Sequence, residues 1–231
     1  MKIGIIGAGN IGAVLALRFV EHGHDVKISN SRGPATLGDV ERETGAKPAE
    51  LKDVVKGADV IVVTIPEAKV PNLPKDLFAD VPASVVVIDT GNYYPRQRDG
   101  RIAGIEEGAT ESRWVGQQIG RPVVKAFNNI YAAHLRNKGA PAGTAGRVAL
   151  PVAGDDSQAK AVVLKLVDEV GFDAVDAGTI DESWRQQPAS PVYTGDFDAE
   201  GVKAALAKAD PSRKPDWRAT DKSPGNFENP A

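Results

Sequence analysis

The 231-residue chain contains no cysteine and only three histidines. The first absence excludes disulfides, thiolate metal sites, iron–sulfur clusters and cysteine nucleophiles. His22, His24 and His134 are too few for a histidine-rich centre, so no metal site is expected. No apolar run approaches the ~20 residues that cross a bilayer, and no membrane span is expected. Excess positive charge is lacking too: 28 basic against 31 acidic residues leave a net charge of −3, so no nucleic-acid partner is expected. There is no G-x-S-x-G elbow, Walker lysine or H-E-x-x-H pair, and no catalytic residue can be named from a motif.

What is present is an ordinary globular composition, 42% hydrophobic and 26% charged, long enough for one large domain with a small annex. Met1-Lys2 followed by Ile3–Val20 mimics a signal peptide. That stretch nevertheless holds Gly4, Gly7, Gly9, Asn10, Gly12 and Arg18, with no small-x-small site after it. It reads as folded structure, and a cytoplasmic location is expected.

Short β-rich runs alternate with helical patterns, the signature of a parallel sheet flanked by helices. Strands are expected at 2–6, 25–29, 59–65, 85–89, 123–127, 147–153 and 172–176. Helices are expected at 11–22, 34–44, 51–56, 111–119, 130–136, 157–170 and 200–208. Asp156 or Ser157 is placed to cap the helix carrying Val163, Leu166 and Val167. The alternation stops after Asp176. The fold class is therefore α/β, a doubly wound, mostly parallel Rossmann-type sheet over residues 1–180, with a small annex and extended tail over 181–231.

The strongest local signal is Gly7-Ala8-Gly9-Asn10-Ile11-Gly12. In a chain with 24 glycines a G-x-G-x-x-G match alone says little, but this one follows an apolar strand and opens a helix. Gly7 suits the tight turn, Gly9 the approach of a pyrophosphate, and Gly12 close helix–strand packing. The helix N-terminus offers unpaired N–H groups to the phosphates.

The end of the second strand selects the dinucleotide. An NAD site usually places a carboxylate there for the ribose 2′-hydroxyl. This chain reads Ser29-Asn30-Ser31-Arg32. Two hydroxyls, an amide and a guanidinium match a 2′-phosphate, so NADP(H) is the expected cofactor.

Further loops leave the carboxyl ends of the strands, where ligands of such sheets bind. Thr64-Ile65-Pro66 can pass beneath a ribose. Asn92 lies in the Asp89–Tyr94 loop, and Ala126-Phe127-Asn128 lies at the end of the 123–127 run. Asn128 or Asn129 can meet a carboxamide or cap the next helix. Tyr93 and Tyr94 read as loop-packing aromatics, His22 and His24 as surface residues.

Taken in order, Gly7–Gly12, Ser29–Arg32, Val63–Pro66, Lys125–Asn128, Val152–Asp156 and Asp176–Gly178 resemble the NADP oxidoreductases dependent on the deazaflavin coenzyme F420, over about residues 1–195. The cytosolic domain of membrane ferric reductases is similar as well. The resemblance implies a Rossmann domain with a small annex, a homodimer, and hydride exchange between NADPH and coenzyme F420. It further implies that Ser31 and Arg32 hold the 2′-phosphate, while the Thr64–Pro66 and Ala126–Asn128 loops line the nicotinamide pocket. Asn128-Asn129 and Ser183–Pro188 depart from the family pattern. Trp184 is a candidate wall for the second ring.

Hydride transfer between two rings needs aligned carbons more than a side-chain nucleophile. The partner is expected to be a small-molecule redox co-substrate. Alternatives are another acceptor (flavin, ferric chelate, imine or carbonyl) or a non-catalytic NADP-binding sensor. Imine and hydroxyacid reductases build their substrate site from a long helical domain, and only 55 residues follow Asp176 here.

Overall fold

The computed structural model describes residues 1–211, 225 and 227–230. Its main sheet has six parallel strands: β1 (Lys2–Ile6), β2 (Asp25–Ser29), β3 (Lys47–Pro48), β4 (Val60–Val63), β5 (Val86–Asp89) and β6 (Val124–Lys125). Their order is β3-β2-β1-β4-β5-β6. The chain moves outward from β1 to β3, then returns to the other side of β1, so the winding reverses between β1 and β4. All residues of β4 and β5 are buried, as strands covered by helices on both faces must be.

Helix α1 (Asn10–Glu21) turns Val14, Leu15 and Phe19 into the core, and Gly23, at φ +82°, lets the chain reverse into β2. The expected helix at 34–44 is divided. A 3₁₀ turn (Pro34–Thr36) precedes α2 (Gly38–Thr44), because the Thr36 hydroxyl bonds Asn30 and the Gly33 carbonyl and closes the turn locally. Then follow α3 (Leu51–Val55), a 3₁₀ turn (Glu67–Asn72), a π turn (Pro95–Asp99), α4 (Ala103–Glu106), α5 (Glu111–Ile119) and α6 (Ala132–Asn137).

Strands β7 (Ala149–Val152) and β8 (Asp173–Asp176) do not extend the main sheet; they form a parallel pair of their own. An antiparallel bridge joins Lys125 to Ala153, with N–H···O distances of 2.8 and 3.0 Å. Helix α7 (Ser157–Glu169) connects them, capped by Asp156, whose carboxylate accepts from the amides of Gln158 and Ala159. Val163, Leu166 and Val167 of α7 share one core with Phe19 and Phe127. Beyond Thr179 a 3₁₀ helix (Ile180–Gln186), not anticipated by periodicity, leads to α8 (Ala199–Ala207), which packs Val202 and Leu206 beside Ala149 and Val175.

His24 differs from expectation: its side chain is 8% exposed, edge-on to Phe19 and 3.2 Å from Glu169. The extended tail expected near the C-terminus falls mostly outside the described residues. No helix among the described residues is long and apolar enough to cross a membrane.

Candidate functional site

The glycine turn carries three separate constraints. Gly7 sits at φ +115°, its amide donates to the Ser29 carbonyl (2.9 Å), and a Cβ there would lie 2.3 Å from the Thr64 carbonyl oxygen. A Cβ on Gly12 would lie 2.1 Å from the Gly7 oxygen, so the helix can approach the turn only through glycine. At Gly9 a Cβ would meet nothing within 4 Å. The middle glycine therefore has no internal packing partner and borders open space. Gly9 also caps α1, with no side-chain cap and no acidic residue in the first turn, so the positive end of a 12-residue helix is left for an external anion.

That open space belongs to a cleft of about 510 Å³ lined by Ile6–Gly9, Ser29–Arg32, Leu51, Thr64–Pro66, Lys69, Asn72 and Leu73. Nine sequence-derived candidates meet here: Gly7, Gly9, Ser29, Asn30, Ser31, Arg32, Thr64, Ile65 and Pro66. Asn10, Ile11 and Gly12 form the adjoining first turn of α1. Ser29 is buried and its Oγ has no hydrogen-bond partner, an orphan that a ligand oxygen can satisfy. Asn30 is already engaged: its Oδ1 accepts from the Arg32 amide (2.9 Å), and its Nδ2 donates to Thr36 (2.9 Å). It shapes the turn, and Ser31 and Arg32 project from it, both exposed. The Arg32 guanidinium has no ion-pair partner among the described residues. Lys69, on the 3₁₀ turn, lines the same cleft and escaped the sequence reading. A free cation beside Ser29 and Ser31, a glycine turn open to solvent and an uncapped helix end together fit a phosphorylated dinucleotide.

Asn92, Ala126, Phe127 and Asn128 do not line this cleft. Ala126 and Phe127 are in the core, Phe127 at φ +62° and edge-on to Phe19. Asn128 is saturated: its Nδ2 donates to Asn92 Oδ1 (3.0 Å) and to the Gln186 carbonyl (2.7 Å), its Oδ1 accepts from Gln186 Nε2 (3.0 Å), and its carbonyl accepts from Asn92 Nδ2 (2.9 Å). Neighbouring Asn129 is fully buried, and neither atom of its amide has a partner.

Under the same strand ends lies a charged group that motif reading passed over. Lys125 is fully buried, with Nζ 2.6 Å from the Gly91 carbonyl, 3.3 Å from Asp89 Oδ2 and 3.4 Å from Glu111 Oε2. Burial lowers its pKa, but the surrounding carboxylates outweigh that and carry it up to about 12. Burial pushes Glu111 up to about 7 against the pull of Lys125. Glu67 is raised well above the ordinary range by burial and by Asp89, and neither of its oxygens has a hydrogen-bond partner. A charged residue at the end of an apolar strand (Val123-Val124-Lys125) and an acid ending another (Val87-Ile88-Asp89) were the available signals.

Comparison with known proteins adds the family. Residues 2–93 match the family described as NADP oxidoreductase coenzyme F420-dependent. Over these residues the chain belongs to this family. Over 85% of its length it is 33% identical to a hypothetical protein of Sinorhizobium meliloti, covering 95% of that structure with a TM-score of 0.72. An Arthrobacter structure provisionally named an F420-dependent NADP reductase is 23% identical, with a TM-score of 0.61 over 79% of this chain and 87% of that one; the likeness concerns fold alone. The Escherichia coli protein YjhV is 46% identical over 69 residues, 30% of this chain and half of that protein's length. The family match spans β1 to β5 and contains every residue lining the cleft.

Proposed function

We propose that this chain is an NADPH-dependent reductase whose hydride acceptor is the deazaflavin coenzyme F420. The observation that carries the NADPH half is the Ser29–Arg32 turn: no carboxylate, an orphaned buried hydroxyl and a guanidinium with no ion-pair partner among the described residues, on the wall of a cleft that starts at the glycine turn. In this reading Arg32 and Ser31 bind the 2′-phosphate, and the amides around Gly9 and the first turn of α1 (Asn10, Ile11, Gly12) meet the pyrophosphate. Ser29 and Asn30 complete the turn, and Lys69 adds a second positive charge. Thr64, Ile65 and Pro66 support the ribose; Asn92 and Ala126–Asn128 stand outside the cleft, where Asn92 and Asn128 bond each other behind the ends of β5 and β6. NADPH supplies the hydride when bound; the chain's own part is to bind, align the rings and exclude water.

For the acceptor, support comes from the description of the matched family and the provisional name of the Arthrobacter relative. The partner is thus a small-molecule redox co-substrate, and the working assembly is a homodimer. The test is to mix the protein with NADPH and, separately, coenzyme F420, free flavin, ferric citrate and a cyclic imine, following nicotinamide absorbance. Turnover with F420 at least tenfold faster than with any other acceptor supports the reading. Faster turnover of another acceptor, or tight NADPH binding with no oxidation by any, overturns the F420 assignment.

A further inference from the structure

We infer that Lys125 is a positioning residue: from beneath the sheet end it pins the Gly91–Tyr94 loop, and that loop sets the orientation of the nicotinamide end of the cofactor. The inference rests on the NADPH reading above. Backbone groups of the loop are tied to buried charge. The Gly91 amide donates to Asp89 Oδ1 (2.8 Å) and its carbonyl accepts from Lys125 (2.6 Å). The Tyr94 amide donates to Asp99 Oδ2 (2.8 Å). Asp89 is itself held by the Ser112 hydroxyl at 2.6 Å.

This is an expensive way to hold a loop. Burying an ammonium among carboxyl groups costs more than burying a leucine there, so the cluster is poorly explained as a stabilising core. It gives instead a loop tied at Gly91 and Tyr94 to buried side chains. Gly91 is confined from the other side as well, since a Cβ there would fall 2.4 Å from Glu67 Oε1. Pinned in this way, the loop presents Asn92 to Asn128, and Asn128 to Gln186 of the annex.

The loop's place follows from strand order. Arg32 follows β2 and the glycine turn follows β1; β5 lies three strands from β2, about 14 Å along the sheet edge. A dinucleotide anchored by its 2′-phosphate at Arg32 and its pyrophosphate at Gly9 runs toward β5, and its other end arrives at the Gly91–Tyr94 loop.

The experiment compares two ligands that share the anchored end. 2′,5′-ADP reaches only the Arg32 side; NADPH reaches both. The double variant K125M/E111Q removes the cation together with one of the carboxyls around it. Gly91→Ala leaves the cation in place and displaces the loop against Glu67, so the test survives if the first variant does not fold. For a folded variant, affinity for 2′,5′-ADP stays within twofold of wild type. NADPH binding weakens at least tenfold and the emission enhancement of its nicotinamide ring is lost. Amide hydrogen exchange at residues 91–94, measured without any ligand, quickens at least tenfold. Unchanged NADPH affinity and ring emission in a folded variant overturn the proposal, as do exchange rates that do not move. Wild-type protein that binds neither ligand overturns the NADPH reading, and with it the nicotinamide role assigned to Lys125.

Discussion

Asn128 and Gln186, 58 residues apart in sequence, exchange two hydrogen bonds: Asn128 Nδ2 to the Gln186 carbonyl at 2.7 Å, and Gln186 Nε2 to Asn128 Oδ1 at 3.0 Å. Both residues are buried. The annex is thereby joined to the end of β6 through amides, not through apolar contact alone. Leaving one partner unsatisfied in the interior costs about 1–3 kcal/mol. Gln186→Ala is therefore expected to lower the melting temperature by roughly 2–10 °C at this chain length, which differential scanning calorimetry measures.

The three glycines of the phosphate turn separate stability from binding. Gly12→Ala places a methyl 2.1 Å from the Gly7 oxygen and is expected to destabilise the fold by roughly 1–3 kcal/mol as the turn shifts. Gly9→Ala meets no protein atom and is expected to leave urea unfolding within about 0.5 kcal/mol of wild type. Its methyl instead occupies the approach to the helix end, and titration should show NADPH binding at least tenfold weaker, about 1.4 kcal/mol. Equal losses of stability in the two variants would contradict the account of the turn.

Much of this was legible in the sequence, and the limits have physical causes. The strand–turn–helix of β1 and α1 was readable because apolar periodicity, glycine spacing and the helix start all lie within twenty residues. The Pro66–Leu73 wall was not, since its 3₁₀ turn contains Pro71 and carries no 3.6-residue pattern; Lys69 was lost with it. Strands β7 and β8 were identified, but local pattern does not encode which strand pairs with which, so their separate sheet was invisible. Asn128 was singled out as a ligand contact; its partners Asn92 and Gln186 lie 36 and 58 residues away, beyond any local signal. The Lys125 cluster likewise assembles from four distant segments.

The buried acids predict an unusual pH dependence. Glu111 titrates near 7 in the folded protein, above its ordinary value of 4.5, mainly because burial disfavours the carboxylate. Its contribution to stability is complete below about 4.5 and is lost as pH rises through 7. Glu67 acts in the same direction. The melting temperature of Glu111→Gln minus that of wild type is thus expected to increase between pH 4.5 and 7.5. A difference that is flat or falls across that range would mean that Glu111 is ionised throughout.

Arg147 offers a test of the second sheet. Its buried guanidinium contacts Asp168 at 2.6 Å and Asp173 at 2.8 Å, and also the carbonyls of Ala140, Gly171 and Asp168. Arg147→Met strips partners from those carbonyls, and a loss of about 2–4 kcal/mol is expected in urea unfolding.

The central claim is that the turn after β2 recognises a 2′-phosphate through Arg32. Isothermal titration of wild type and Arg32→Glu with NADPH and NADH tests it most directly. The account predicts that the substitution weakens NADPH by about 1.5–3 kcal/mol, roughly 10- to 150-fold, while NADH changes by less than threefold. Equal losses for both cofactors, or wild-type protein that does not distinguish them, would contradict it.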